Sequence, residues 1–198
     1  MPRPETELLV SWALELLPGG HPLALDVGTG SGCIACALAS ERPDVRVVAI
    51  DASPAAVAVA RENVEALGLA DRVTVSVSDL FSELAPVRAD LIVSNPPYVP
   101  SDVIDTLPPE ITGHEPRLAI DGGPAGLRVI RRLVGEAPRW LQPGAPLVLE
   151  TFGDEQAGKV MVLLQEAGFM NVSTRADLAG VARFVAGEAP LRGVRNAG

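Results

Sequence analysis

The chain predicts a mainly parallel, seven-stranded α/β sheet with helices on both faces and an antiparallel edge, in one domain spanning residues 1–198. Three observations carry that expectation. Short apolar runs alternate with helical patterns, a glycine-rich turn joins the first run to a small-residue segment, and two strand-like runs close the chain with no helix between them. Apolar residues make up 47% of the 198, enough for a full core.

The elements follow in order. A helical pattern through Leu8, Leu9, Trp12, Leu16 and Leu17 ends at Pro18-Gly19-Gly20. Leu23-Ala24-Leu25-Asp26-Val27 is a first strand, then the turn Gly28-Thr29-Gly30-Ser31-Gly32 leads into a helix to about Ser40. Arg46 to Ile50 is a second strand closing on Asp51. Ser53-Pro54 reads as a helix N-cap with proline at the first helical position. Val57, Ala60, Val64 and Leu67 form one helical face, stopped by Gly68. Val73 to Val77 alternates as a third strand ending at Ser78-Asp79-Leu80-Phe81, and Asp90-Leu91-Ile92-Val93 is a fourth. Val99 to about Pro124 is rich in proline and glycine, with a helical turn expected around Ser101 to Leu107; so long an irregular segment reads as either functional or disordered. A helix from about Ala125 to Trp140, a strand from Pro146 to Thr151, a helix from about Asp154 to Ala167 and strands near Val172 and Arg183 to Val185 complete the chain.

The fourth strand runs into Ser94-Asn95-Pro96-Pro97-Tyr98. Two prolines cannot extend a strand, because each lacks an N–H and fixes φ near −65°. The chain leaves the sheet there as a stiff turn whose carbonyls stay free to accept hydrogen bonds. Beside them stand an amide that donates and accepts, Asn95, and a phenol ring, Tyr98. Such a turn suits a planar N–H₂ group: acceptors take its hydrogens and the ring covers its face.

The first strand, glycine turn and helix form the opening half of a βαβ nucleotide-binding unit. Asp51, 23 residues beyond Gly28, stands where a carboxylate accepts ribose hydroxyls, an arrangement that serves NAD or S-adenosylmethionine. Three features favour S-adenosylmethionine. Cys33 occupies the position where the dinucleotide fingerprint has glycine, Asp79-Leu80 ends the third strand where an adenine edge can sit, and Asn95 to Tyr98 ends the fourth. Asp26 either reaches the methionine moiety through water or simply starts the turn. The candidate cofactor set is thus Asp26, Gly28, Thr29, Gly30, Ser31, Gly32, Asp51, Asp79, Leu80 and Asn95; Asn95, Pro96, Pro97 and Tyr98 are the candidate catalytic set.

The net charge of −9 is a poor footprint for gripping phosphate backbones and argues against a nucleic-acid partner. No apolar window approaches the ~18 residues of a membrane span, and the N-terminus shows no signal-peptide pattern, so a cytoplasmic protein is expected. Cys33 and Cys36 form a C-x-x-C, but His21 and His114 are isolated, so no metal site is expected and the cysteines read as small apolar residues of a packed helix.

Asn-Pro-Pro-Tyr after a strand is a signature of class I methyltransferases acting on planar nitrogens. With Pro2-Arg3-Pro4-Glu5-Thr6-Glu7, Asp26 to Gly32, Val99, Glu115-Pro116 and Leu118-Ala119, the chain resembles, over nearly its whole length, the bacterial HemK/PrmC protein-glutamine methyltransferases. The resemblance implies a Rossmann-like class I S-adenosylmethionine-dependent fold, with S-adenosylhomocysteine as product. It implies that Gly28 to Gly32, Asp51, Leu80 and Asn95 bind the cofactor and that Asn95 to Tyr98 hold the amide. It also implies a class I peptide-chain release factor as partner, methylated on the glutamine of its Gly-Gly-Gln loop. The family normally carries a small helical docking domain before the Pro-Arg-Pro-Glu-Thr-Glu motif, at which this chain begins, so a catalytic domain alone is expected. Where the family has Glu, a short residue and Gly after the fifth strand, this chain has Glu150-Thr151-Phe152-Gly153, so the pocket wall should have its own shape. The alternatives are a nucleic-acid exocyclic-amine methyltransferase, a cofactor-binding domain without catalysis and, more remotely, a dinucleotide oxidoreductase.

Overall fold

Strands β1 (Leu23–Val27), β2 (Arg46–Asp51), β3 (Val73–Val77), β4 (Leu91–Ser94), β5 (Pro146–Glu150), β6 (Met170–Ala176) and β7 (Ala182–Glu188) form one sheet in the order β3-β2-β1-β4-β5-β7-β6. The computed structural model describes residues 4–106 and 116–191. β3, β2, β1, β4 and β5 run parallel, and β7 pairs antiparallel with both β5 and β6. The strand order reverses between β1 and β4, so their carboxyl ends open a crevice there.

Inner strands are apolar on both faces because both faces are covered. On one, Ala24, Val47, Leu91, Val93 and Val148 meet α1 (Pro4–Leu16), α2 (Cys33–Glu41) and α3 (Pro54–Ala66) through Leu9, Trp12, Ile34, Leu38, Val57 and Ala60. On the other, Leu25, Val27, Ile92, Leu147 and Leu149 pack on α5 (Arg128–Glu136) and α6 (Asp154–Glu166) through Ile130, Leu133, Val160 and Leu164. The α3 cap is the one the sequence predicts: Ser53 Oγ accepts from Ala56 N at 3.3 Å, and Pro54 opens the helix.

The ends of several elements differ from expectation. Leu67 is 59% exposed, because α3 stops before it and turns its side chain out of the core. The helix expected from Ala125 to Trp140 is α5 alone, set between 3₁₀ turns at Pro124–Gly126 and Ala137–Arg139. Ala125 and Gly126 have φ of 54° and 68°, outside the helical region, and Pro138 supplies no N–H to continue the ladder. The irregular segment after Val99 contains a 3₁₀ turn at Ile104–Thr106, inside the stretch where a helical turn is expected, and a short helix, α4 (Arg117–Ile120), that the sequence reading does not foresee. Leu107 lies outside the described residues.

Candidate active site

The carboxyl ends of β1, β2 and β3 are laced to one another. Gly28 N and Thr29 N both donate to Ile50 O, at 2.8 and 2.9 Å, and Gly30 N donates to Asp51 Oδ2 at 2.9 Å. Asp51 Oδ1 accepts from Ser53 N at 2.9 Å, and Asp51 O accepts from Ser78 N at 2.9 Å. Asp51 therefore holds the glycine turn against the start of α3, and each oxygen keeps a further lone pair for a ligand hydroxyl. Gly28 and Gly30 have φ of 74° and 57°, which favours glycine, and a Cβ added to either meets nothing within 4 Å. That open backbone lets a ligand approach closely, as a bound S-adenosylmethionine requires. Ser31 is exposed while its carbonyl accepts from Asn63 Nδ2 at 2.9 Å, and Gly32 abuts Ala60, closing α2 onto α3.

Asp26 is wholly buried. Its Oδ2 accepts from Thr29 Oγ1 at 2.5 Å and from Ala35 N at 3.1 Å, tying turn to helix, while Oδ1 has no hydrogen-bond partner among the described residues. Burial pushes its carboxyl up to about 7, against the pull of those two bonds. Asp79 faces another way: its exposed carboxylate takes both Arg132 nitrogens at 3.1 Å and is not part of the bonding around the glycine turn. Leu80, next to it, is buried with φ 51°, a strained setting for a non-glycine residue at a strand end. Cys36 is buried and Cys33 half-buried; burial raises both thiols, so neither is a primed nucleophile.

The turn after β4 is braced from three sides. Ser94 Oγ donates to Val27 O at 2.5 Å, fixing its start beside the glycine turn. Tyr98 OH donates to Glu150 Oε1 at 2.8 Å, across to the end of β5. The segment after α4 lies against its back. Val99 N donates to Ile120 O and Gly122 N to Val99 O, both at 2.9 Å, while Ser101 Oγ donates to Asp121 Oδ1 at 2.6 Å. A Cβ at Gly122 would stand 2.7 Å from Pro97 O, and one at Gly126 only 1.9 Å from Tyr98 O. The Asn95 side chain, half-buried at the crevice, makes no hydrogen bond with any described residue, so its donors and acceptor remain available.

Asp26, Gly28 to Gly32, Asp51 and Asn95 to Tyr98 thus share one edge of the sheet. Sequence reasoning missed the residues behind them. Gln156, 6% exposed, donates from Nε2 to Tyr98 O at 2.8 Å and Ala125 O at 3.0 Å, and its Oε1 accepts from Phe152 N at 2.8 Å. A glutamine in the first turn of a helix carries no local sign of such a role. Glu150 showed itself only as part of the unusual Glu150-Thr151-Phe152-Gly153 ending. A broad cleft of about 670 Å³, lined by Phe81, Leu84, Val87, Arg88 and Trp140, opens elsewhere and shares no residue with this edge. Among the described residues, no group of three or more His, Cys, Asp or Glu is placed to hold a metal, and no helix is long and apolar enough to cross a membrane.

The order and directions of the seven strands, with helices on both faces, are those of the class I S-adenosylmethionine-dependent methyltransferase fold. Residues 5–107 match the family model described as methyltransferase small domain. The chain is 44% identical over 188 residues to the release factor glutamine methyltransferase of Geobacter sulfurreducens and 46% identical over 187 to that of Caulobacter vibrioides; each match covers 94% of this chain and 64% of the relative. The solved protein-(glutamine-N5) methyltransferase (release factor-specific) of Alicyclobacillus acidocaldarius superimposes with a TM-score of 0.58 at 31% identity, over 96% of this chain and 94% of that one. The chain belongs to the release factor glutamine methyltransferase family. It spans just under two thirds of the length of those two curated relatives, 64% of each.

Proposed function

We propose that this chain transfers the methyl group of S-adenosylmethionine to the side-chain amide nitrogen of the glutamine in the Gly-Gly-Gln loop of class I peptide-chain release factors, in the cytoplasm. The observation that carries the proposal is the Asn95–Tyr98 turn, held between Val27 and Glu150 beside an open glycine turn. Gly28 to Gly32, Asp51, Leu80 and Asn95 would hold the cofactor, with Asp51 accepting ribose hydroxyls on its remaining lone pairs. Thr29 and Asp26 act behind the turn, holding its shape. Asp79, already engaged by Arg132, would contribute through its backbone beside Leu80. The bound cofactor supplies an electrophilic methyl on a sulfonium.

The residues of the turn make the amide receptive. An amide nitrogen is a weak nucleophile because its lone pair is delocalised into the carbonyl. Asn95 Oδ1 and the Pro96 carbonyl accept its two hydrogens, orienting the nitrogen and favouring positive charge on it. Tyr98, its hydroxyl fixed on Glu150, covers the amide plane. Pro96 and Pro97 keep those carbonyls from wandering. The new C–N bond would form as the methyl–sulfur bond breaks, its electron pair returning to sulfur to leave S-adenosylhomocysteine, and the nitrogen would release one proton to solvent, so no paired acid and base is needed. Positioning and electrostatics supply the rate.

The test is methyl transfer from labelled S-adenosylmethionine to an intact release factor, with the modified residue located by peptide mass spectrometry. Label on the Gly-Gly-Gln glutamine is the expected result. Asn95→Ala should lower turnover by about 10²-fold or more, the usual scale for losing one such acceptor. Label elsewhere, or near-normal Asn95→Ala turnover with the cofactor bound normally, defeats the proposal.

A further inference from the structure

We infer that Phe152 is a second aromatic wall of the substrate pocket and contacts the peptide main chain beside the target glutamine. The inference rests on reading Asn95–Tyr98 as the amide-holding turn. Phe152 is 39% exposed, and its ring stands 6.3 Å from that of Tyr98, tilted by 47°. A lone exposed phenylalanine is ordinary on a protein surface. Phe152 differs because its backbone is fixed at both polar groups. Its N donates to Gln156 Oε1 at 2.8 Å, and its O accepts from Arg183 Nη1 at 3.0 Å. Arg183 is itself held by Asp177, Nε to Oδ2 at 2.8 Å.

Gln156 makes the arrangement specific. One carboxamide grips Tyr98 O and Phe152 N, each at 2.8 Å, so a single buried side chain sets the spacing of the two rings. Two rings so spaced and tilted would suit a planar amide on Tyr98 and a flat, unbranched peptide unit on Phe152. On the proposed Gly-Gly-Gln substrate, Phe152 contacts the flank of the glutamine, and Gln156 acts as a positioning residue.

Steady-state methylation of an intact class I release factor, and of a synthetic peptide carrying Gly-Gly-Gln, tests this. Phe152→Ala and Phe152→Leu should each raise KM about three- to tenfold, the reach of an aromatic contact, with kcat within about twofold. Cofactor Kd should be unaltered, and Phe152→Tyr should restore KM. Gln156→Met should raise KM and lower kcat together, since both rings lose their tether. A purely structural Phe152 would let Leu match the wild type. Wild-type methylation with Phe152→Ala and Phe152→Leu indistinguishable from it overturns the inference alone. A wild type that binds S-adenosylmethionine and methylates neither substrate overturns the underlying reading, and the inference with it.

Discussion

Asp26 concentrates the tension in this site at one carboxyl group. It ties the glycine turn to α2 through Thr29 and Ala35, yet burial raises it from an ordinary aspartate to about 7. The direction fixes its effect on stability. Below about pH 4 the folded and unfolded chains both carry the proton and the group contributes no pH dependence. Between about pH 4 and 7 the unfolded chain releases a proton that the folded chain keeps, so stability falls as pH rises, and above 7 the loss is complete. Asparagine keeps an acceptor for Thr29 and Ala35 but never ionises. The stability of Asp26→Asn relative to wild type should thus improve by on the order of 4 kcal/mol from pH 4 to pH 8, as read by urea unfolding at both values. A pH-independent difference would mean that the carboxyl is ionised throughout.

At the scale of elements, the α4–α5 connection and the first turn of α6 decide where the Asn95–Tyr98 turn sits, and two glycines show how. Gly126, at φ 68°, faces Tyr98 O, where a Cβ would stand 1.9 Å away and 2.4 Å from Gln156 Nε2. Gly135, in the last turn of α5, has nothing within 4 Å of a built Cβ. Gly126→Ala should cost on the order of 3 kcal/mol, from left-handed strain and overpacking together, and should depress methyl transfer by displacing Tyr98. Gly135→Ala should instead stabilise by up to about 1 kcal/mol. Thermal unfolding of the two variants should move in opposite directions; a shared sign would show that the connection is pliable. Legibility in the sequence divides along the same line. The strands, the Ser53-Pro54 cap, the glycine turn and Asn95 to Tyr98 were readable because local pattern and tertiary demand agree. The ends of α5 were not, because Leu127, Ile130, Leu133, Val134 and Ala137 keep a helical apolar rhythm past the point where Ala125 and Gly126 leave helical geometry. Gln156 was invisible because its three partners come from segments far apart in the chain. Asp79 was legible as a strand-end acid but not as the partner of Arg132, which lies on another element.

Across the whole molecule, one edge of the sheet carries every proposed contact, so ligand binding and fold stability are coupled there. Gly28, Thr29 and Gly30 are held by β2, the β4 turn by β1 and β5, and Ser78 by Asp51. A cofactor bridging these strand ends binds the folded chain and not the unfolded one, in which the edge does not exist. At about 100 times its Kd it should add about 2.7 kcal/mol of stability, a Tm rise of roughly 5–10 °C for a chain of this size. S-adenosylmethionine and S-adenosylhomocysteine should both produce the shift, while NAD should not, because Cys33 stands where the dinucleotide fingerprint places glycine. The net charge of −9 adds a second discrimination: duplex DNA or RNA should give no shift even at low salt, where phosphate contacts are strongest. A rise with NAD equal to that with S-adenosylmethionine would reassign the glycine turn to dinucleotides. A salt-sensitive rise with nucleic acid would direct Asn95 and Tyr98 toward a base amine instead of a glutamine amide.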